Sequence, residues 1–513
     1  MNNLVKDEEQ FNHGLKILAK SSFFIFIFLF ISKLTFYIYR LVIARHFGPE
    51  IYGLFSIALI ILSFFVALFS FGLDQGVLRF IPYYLGKKEK EKVKYLVRFS
   101  FKILFILSFF AGISLFYLSG IISTNIFHNE DLTIFLRGFS LLVPVYIFSY
   151  LLLAILRAHE KVIWYSFNLN VLQNLVKVLA IILLIYIGFE SDSITFSFFL
   201  GVLAMFLLSF YLVKFYFNYL FKPTKLGKNI RATLRREFIS YSWPLMFLGI
   251  FLSILSWTDS FMIGIFVDAT SVGLYNSAVP ISILIAISSE IFMQPFFPLI
   301  TRAYSMKNFE MVKQISQQVG KWIFIINLPL LIIIFLFPGA IINLFFGSEY
   351  ISAENALRIL SIGVFFGTLT VSIPLNLLSS IGKSKLLLLN FGGITIFNII
   401  LNCILIPKYG INGAAFSTTI STFLLGTVLI LESKHYTSII PLRRKMIRIF
   451  LISIIPTSLL LFLRLIVPIN KTSLILLGIF FSFSYILAII LTGCLDKNDF
   501  LIIQSFVKKG IKK

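Results

Sequence analysis

The sequence predicts an all-α polytopic membrane protein with about fourteen transmembrane helices: two pseudo-symmetric six-helix lobes and two extra C-terminal helices. Three observations predict it. The first is composition: 58% of the 513 residues are hydrophobic, 17% are aromatic, and only 13% are charged. A soluble domain carries about 45–50% apolar and roughly 25% charged residues. The second is a series of apolar runs separated by loops that alternate between basic and non-basic. The third is a repeat at one fixed offset.

The runs fall near 20–47, 51–80, 95–120, 133–156, 162–187, 194–220, 238–266, 272–299, 317–346, 355–380, 385–406, 411–433, 446–468 and 472–495. Each approaches the 20 or so apolar residues that a spanning helix needs. Residues 1–20 are polar to amphipathic and are expected on the cytoplasmic surface. The run after them continues beyond signal-peptide length, so it reads as a retained first span.

The connections support the count. Basic residues fill GKKEKEKVK (Gly86–Lys94), RAHEK (Arg157–Lys161), the linker 221–237 and GKSK (Gly382–Lys385). Arg302, Lys307 and Lys313 follow span 8, and PLRRK (Pro441–Lys445) follows span 12. The alternate loops, such as TNIFHNEDL (Thr124–Leu132) and GFESDS (Gly188–Ser193), hold almost none. Basic loops collect on the cytoplasmic side, which requires an even span count with both termini inside. The formal net charge of +23 then reflects topology, and nucleic acid is excluded as a partner. The tail 496–513, ending KKGIKK, reads as a surface helix or as a basic anchor that fixes orientation.

Three segment pairs recur at an offset of about 216–221 residues. FGPEIYGLFSIA (Phe47–Ala58) matches VDATSVGLYNSA (Val267–Ala278), aligning Gly53 with Gly273. RFIPYYLGKKEKEKVK (Arg79–Lys94) matches PFFPLITRAYSMKNFEMVK (Pro295–Lys313), and IFHNEDLTIFLRGFS (Ile126–Ser140) matches FFGSEYISAENALRILS (Phe345–Ser361). Spans 1 and 7 are six apart, so both halves enter the membrane in the same direction. The repeats are parallel, and two such lobes would enclose a central cavity. The register divides the chain into an N-lobe (21–220), a linker (221–237), a C-lobe (238–435) and spans 13 and 14 (446–495).

Charges inside the spans are the candidate site, because each costs at least about 2.5–3.5 kcal/mol near the bilayer centre. Lys33, Tyr37 and Arg40 lie at i, i+4 and i+7, on one face of span 1. Asp74 stands between Gly72 and Gly76, and Arg79 follows. The latter two are read equally as a structural arrangement at the cytoplasmic end or as a gate. Lys177 in span 5 is a further cavity candidate. Asp259 in span 7 aligns with Tyr39, so it is expected to pair with Arg40 when the outer side is closed. Glu290 in span 8 is the candidate for a coupling proton or Na⁺, or else a buried, hydrogen-bonded carboxylate. Pro144, Pro280, Pro295, Pro329, Pro374 and Pro456 are expected to kink their spans.

Several chemistries are missing. Gly382–Ser384 (GKS) has Leu377 where a phosphate loop needs its first glycine. The five histidines show no metal spacing, so neither metal nor cofactor is expected. Cys403 and Cys494 read as small core residues, and Asn470–Thr472 (NKT) is a glycosylation match too near the membrane to use.

FGPEIYGL, FGLDQGVLRFIPYYLGKKEK and LIPKYGINGAAFSTTIS (Leu405–Ser421) resemble the multidrug/oligosaccharidyl-lipid/polysaccharide exporter superfamily. The wording is most similar to its polysaccharide-transporter branch, the Wzx-type flippases, across essentially the whole chain. The resemblance implies a V of two six-helix bundles with substrate held between spans 1, 2, 7 and 8. It implies flipping of a polyprenyl-(di)phosphate-linked oligosaccharide to the outer leaflet by alternating access, with no enzymatic step and as a monomer. Glycosyltransferases or a glycan polymerase would be its partners. An anionic diphosphate needs cations that replace its hydration, which Lys33 and Arg40 offer. A cation antiporter would depend on Asp259 or Glu290 instead. A pathway enzyme would need a larger loop, and a scramblase would show no headgroup selectivity.

Overall fold

The structure, a computed structural model, describes residues 2–468 and 470–494. The expected basic tail at 496–513 lies outside the described residues. Among them the chain is almost entirely helical and has no strand. Ten helices are long and apolar enough to cross a membrane, and the bent pair Leu132–Ser140 and Leu142–Ala158 makes an eleventh. Two of the ten each hold two spans. The helix Asn2–Phe69 breaks at Gly48, and Ser384–Thr437 breaks at Gly410. With the 39-residue helix Lys228–Phe266 as span 7, the fourteen expected spans are accounted for.

The breaks follow from local chemistry. Gly48 takes φ +79°, a conformation that favours glycine, and Pro49 opens the next helix, where its missing N–H costs nothing. Span 4 bends by 45° between Ser140 and Leu142. Pro144 explains this, because its ring displaces the carbonyl four residues back, that of Ser140. Span 10 repeats the device: Glu354–Thr370 stops, Ser372–Ser380 begins, and Pro374 lies four residues after Thr370. Span 2 breaks after Phe69 and resumes as Leu73–Gly86, with Phe71 and Gly72 at φ +51° and +64°. Span 8 runs as Ala269–Ile283, tightens to a 3₁₀ turn at Leu284–Ala286 and resumes as Ile287–Ser305.

Two expected boundaries move. The basic stretch Lys90–Lys94 is already helix, the first turns of Lys90–Ile121, braced by Lys92–Glu89 and Lys94–Glu91 ion pairs at i, i+3. Span 9 begins earlier than expected, as Phe309–Leu336, and a short helix Pro338–Phe345 follows it. Cys403 is exposed on its helix rather than in a core, while Cys494 is buried. Asn470 caps the helix Lys471–Leu491 in a capping box with Ser473.

By packing, the chain forms two compact units, Met1–Gly273 and Leu274–Lys513. In the first, span 7 packs on spans 1 and 2, and span 4 on spans 2, 3 and 6. Glycines set the closest approaches. A Cβ on Gly72 would meet the Ser242 carbonyl oxygen at 2.3 Å, and one on Gly76 would meet Ser242 Oγ at 2.2 Å, so spans 2 and 7 cross backbone against backbone. Gly53 and Gly273 pack reciprocally. A Cβ on Gly53 would strike the Ala269 carbonyl oxygen at 1.7 Å, and one on Gly273 the Pro49 carbonyl oxygen at 2.0 Å. Each clash falls four residues before the opposite glycine, as a local two-fold demands. In the second unit, spans 10, 11 and 12 pack together and span 13 lies on spans 9 and 14.

Candidate substrate site in the first unit

Span 1 fixes Arg40 through its neighbour. The Tyr39 hydroxyl donates to the Ile194 carbonyl at 3.1 Å and lies 3.0 Å from Ser197 Oγ, which ties span 1 to span 6. The next residue turns away from that contact. Arg40 is only 4% exposed, with its guanidinium 4.5 Å from the Phe36 ring and 6.0 Å from the Trp257 ring of span 7. Its Nη1 donates to the Tyr52 hydroxyl at 3.4 Å. Its Nε finds no hydrogen-bond partner among the described residues. A buried donor left unsatisfied costs about 1–3 kcal/mol, more when charged, so this guanidinium keeps a hydrogen-bond donor in reserve.

Trp257 is also a wall of a cavity of about 440 Å³ bounded by spans 2, 4, 6 and 7, with Ser63, Asp74, Gln75, Tyr150 and Phe198 among its lining. A second cation lies behind another ring of the same wall. Lys177 is buried, and its Nζ sits 3.6 Å from the Phe198 centroid. Span 6 makes room for it with Gly201, where a Cβ would meet Lys177 Cγ at 2.4 Å. One turn earlier, Gln173 Nε2 donates to the Tyr146 hydroxyl, another wall group, at 3.0 Å. Ring faces carry negative potential and hold cations at these distances. Arg40 and Lys177 are thus each parked against an aromatic side chain of the cavity wall.

The other expected residues separate. Asp74 lines the cavity, in the first turn after the break, and accepts from Gln75 Nε2 at 2.8 Å. Arg79 instead lies 4.1 Å over Tyr241 and borders a second pocket with Tyr83, Tyr84 and Glu237. Five residues advance a helix by nearly one and a half turns, so the two point to different faces. A joint Asp74–Arg79 arrangement is therefore corrected to two separate environments. Lys33 and Tyr37 are half-buried, with Tyr37 6.0 Å from Phe36, and neither lines this cavity. Asp259 is half-buried two residues after Trp257, and Glu290, in the second unit, is exposed.

Sequence reasoning missed Tyr52, Phe198 and Trp257, which hold the cations. An aromatic-rich chain gives them no distinguishing pattern; only the alignment of span 1 with span 7 could have pointed to Trp257. It also missed a buried polar cluster beside Glu290, in which Ser288 donates to Asn327 and Asn327 Nδ2 donates to Thr368 Oγ1 at 3.0 Å. No cluster of three metal-ligating side chains occurs among the described residues.

Residues 18–304 match the model of a family described as polysaccharide biosynthesis protein. The chain belongs to that family. Residues 244–404 also match the MatE family, and both lie within the exporter superfamily whose motifs the sequence resembles. This family member is 24% identical over 393 residues to a putative O-antigen transporter of Shigella flexneri, covering 74% of this chain and 89% of that protein. It is 27% identical over 329 residues to a probable low-salt glycan biosynthesis flippase of Haloferax volcanii, covering 61% and 64%. Its fold is shared with the lipid II flippase MurJ in an inward closed conformation, at TM-score 0.69 and 18% identity over 90% of this chain and 97% of that one. An inward-facing multidrug resistance MATE family transporter follows at TM-score 0.63 and 17% identity, covering 79% and 94%. The chain is accordingly a multi-pass membrane protein with the fourteen-helix, two-lobe fold of these neighbours.

Proposed function

We propose that this protein flips a polyprenyl-(di)phosphate-linked oligosaccharide from the cytoplasmic to the outer leaflet of the cell membrane by alternating access. The observation that carries the reading is Arg40, a guanidinium buried to 4% exposure with an unused Nε, one ring away from a cavity. Relatives named as an O-antigen transporter and a glycan flippase supply the substrate class.

In this mechanism the diphosphate enters the first unit's cavity and draws Arg40 and Lys177 off their rings. Arg40 offers a fork of donors and Lys177 a point charge, which together replace hydration. Lys33 and Tyr37, on the cytoplasmic side of Arg40, receive the headgroup first, and Arg79 stands at the entrance. Asp74, in the cavity lining, repels the anion and favours its onward release. Asp259 takes Arg40 as partner once the substrate has left and the outer side has closed. Glu290 carries the coupling proton or Na⁺. Both termini lie in the cytoplasm, the protein acts as a monomer without an enzymatic step, and glycosyltransferases and a polymerase supply and use the lipid.

Asp74 also favours a second reading, a cation antiporter, since it is a carboxylate in the cavity lining. One experiment separates the two. Flipping of a polyprenyl-diphosphate oligosaccharide is followed in proteoliposomes by protection from added glycosidase, beside uptake of a cationic dye. Lipid flipping that fails in Arg40→Ala supports the first reading. Dye transport that fails in Asp74→Asn, without lipid flipping, supports the second.

A further inference from the structure

A second cavity lies in the second unit, lined by none of the candidate substrate-site residues. Span 13 (Arg444–Ile466) packs on span 9 and span 14, and between it, span 9 and span 10 an apolar groove of about 1020 Å³ remains. Leu328, Phe365, Phe366, Met446 and Phe450 are among its walls. It follows span 13 from Arg443 to Thr457, fourteen residue-to-residue steps and about 21 Å along the helix axis. One leaflet measured with its headgroups is about 20 Å deep.

At its Arg443 end the groove adjoins a second pocket of about 540 Å³, and Leu442 and Arg443 line both. This adjoining pocket is polar and basic. Lys313, Arg443 and Lys445 line it together with Gln317 and Ser438, and its lining holds no acidic residue among those described. Arg443 is held in place by Gln318, whose Oε1 accepts from Nη1 at 2.9 Å, while Gln317 Nε2 donates to the Ile440 carbonyl at 3.5 Å. The loop between spans 12 and 13 is therefore tied down on span 9, and the basic pocket is a built feature rather than a mobile basic stretch.

An apolar channel one leaflet deep that ends in three cations matches one ligand chemistry: a phosphate monoanion or diester on hydrocarbon chains. We propose that this site holds an anionic glycerophospholipid of the surrounding membrane, with its headgroup phosphate between Lys313, Arg443 and Lys445 and an acyl chain along spans 9, 10 and 13. Basic pockets between spanning helices at the cytoplasmic surface bind anionic headgroups in this way. The lipid fills a space that the protein's own side chains leave open, and so makes span 13 part of the second unit's packing.

The test is retention of added lipid by the detergent-purified full chain, counted by native mass spectrometry with phosphatidylglycerol or phosphatidylcholine of identical chains. Wild type retains phosphatidylglycerol about tenfold more than phosphatidylcholine, a factor within reach of a few basic groups at a membrane surface. Replacing Lys313, Arg443 and Lys445 together by Ala brings the two lipids level. Lys313→Glu, at an exposed position, reduces the preference even if the triple variant fails to fold. Thr457→Trp, which fills the deep end and leaves the cations in place, lowers retention of both lipids. Equal retention of the two lipids by wild type, or a preference that survives the charge variants, overturns the proposal. Displacement of phosphatidylglycerol by an equimolar polyprenyl phosphate overturns it too, and gives the groove to the transported lipid's tail. None of these outcomes depends on flipping activity.

Discussion

Spans 2 and 8 are counterparts in the repeat, and both are broken near mid-course, yet by different means. Span 2 breaks through two left-handed residues, Phe71 and Gly72, and span 7's backbone presses on Gly72. Span 8 breaks by tightening into a 3₁₀ turn four residues after Pro280, with helical neighbours on both sides. Each resumes with a carboxylate in its first turn, Asp74 or Glu290, where a helix N-terminus favours negative charge. Asp74 lines a cavity, while Glu290 is exposed beside the Ser288–Asn327–Thr368 cluster. Corresponding positions of the repeat are thus a clamped elbow in one half and a helix-compatible joint in the other. A 3₁₀ turn returns to α-helix by a small change of hydrogen bonds, whereas a left-handed pair under a crossing helix does not.

The largest expected effect tests what the halves still share. Gly53→Ala and Gly273→Ala should each cut the yield of folded, flipping-competent protein by more than about tenfold, since the clash is with backbone and overpacking costs about 1–3 kcal/mol or more. Gly393→Ala, where a Cβ meets nothing within 4 Å, is the control and should be neutral or slightly stabilising. Unequal losses at 53 and 273 in a melting assay would break the local symmetry.

The next effects sharpen the difference. Arg40→Ala should reduce flipping by about 10- to 100-fold, the worth of a charged hydrogen bond, and Lys177→Met by about tenfold, both without loss of folded protein on size-exclusion chromatography. Glu290→Gln should remove most of the dependence of flipping on a proton or Na⁺ gradient, while Asp74→Asn preserves that dependence. The reverse result would move the coupling group into the first unit.

The smallest effect concerns the turns after spans 4 and 10. His159 is wedged against Phe217 at 4.0 Å, with Nε2 2.9 Å from the Tyr219 hydroxyl and Nδ1 2.8 Å from the Ile155 carbonyl. Burial pushes its pKa below the usual histidine value. The unfolded chain therefore takes up the proton first as pH falls through about 6.5, so this contribution is present above that pH and is lost below it. The matching turn, Ile381–Lys383, carries no histidine. Hydrogen exchange at pH 5.5 should loosen the turn at His159 and leave its counterpart unchanged.

The spans, their number and the alignment of Gly53 with Gly273 were legible in the sequence, because hydropathy, basic loops and a fixed offset are patterns of composition along the chain; that the two glycines touch was not. Pro144 announced the bend of span 4 and Pro374 the helix break in span 10, since a missing N–H acts locally. The candidate site was legible only in its charges. Arg40 and Lys177 stand out where charge is rare, but the rings that hold them do not, in a chain with 61 Phe. Spacing alone sends Asp74 and Arg79 to different faces, but which pocket each one borders follows from the approach of span 7.

A residue that touches its own repeat counterpart, with the carbonyl four positions back on each side, forms the contact an isologous homodimer makes across its axis. The seam at Gly53 and Gly273 has that form within a single polypeptide. A chain ending after the first six spans would expose the same groove, unfilled, and two copies would have complementary backbone surfaces with which to close it.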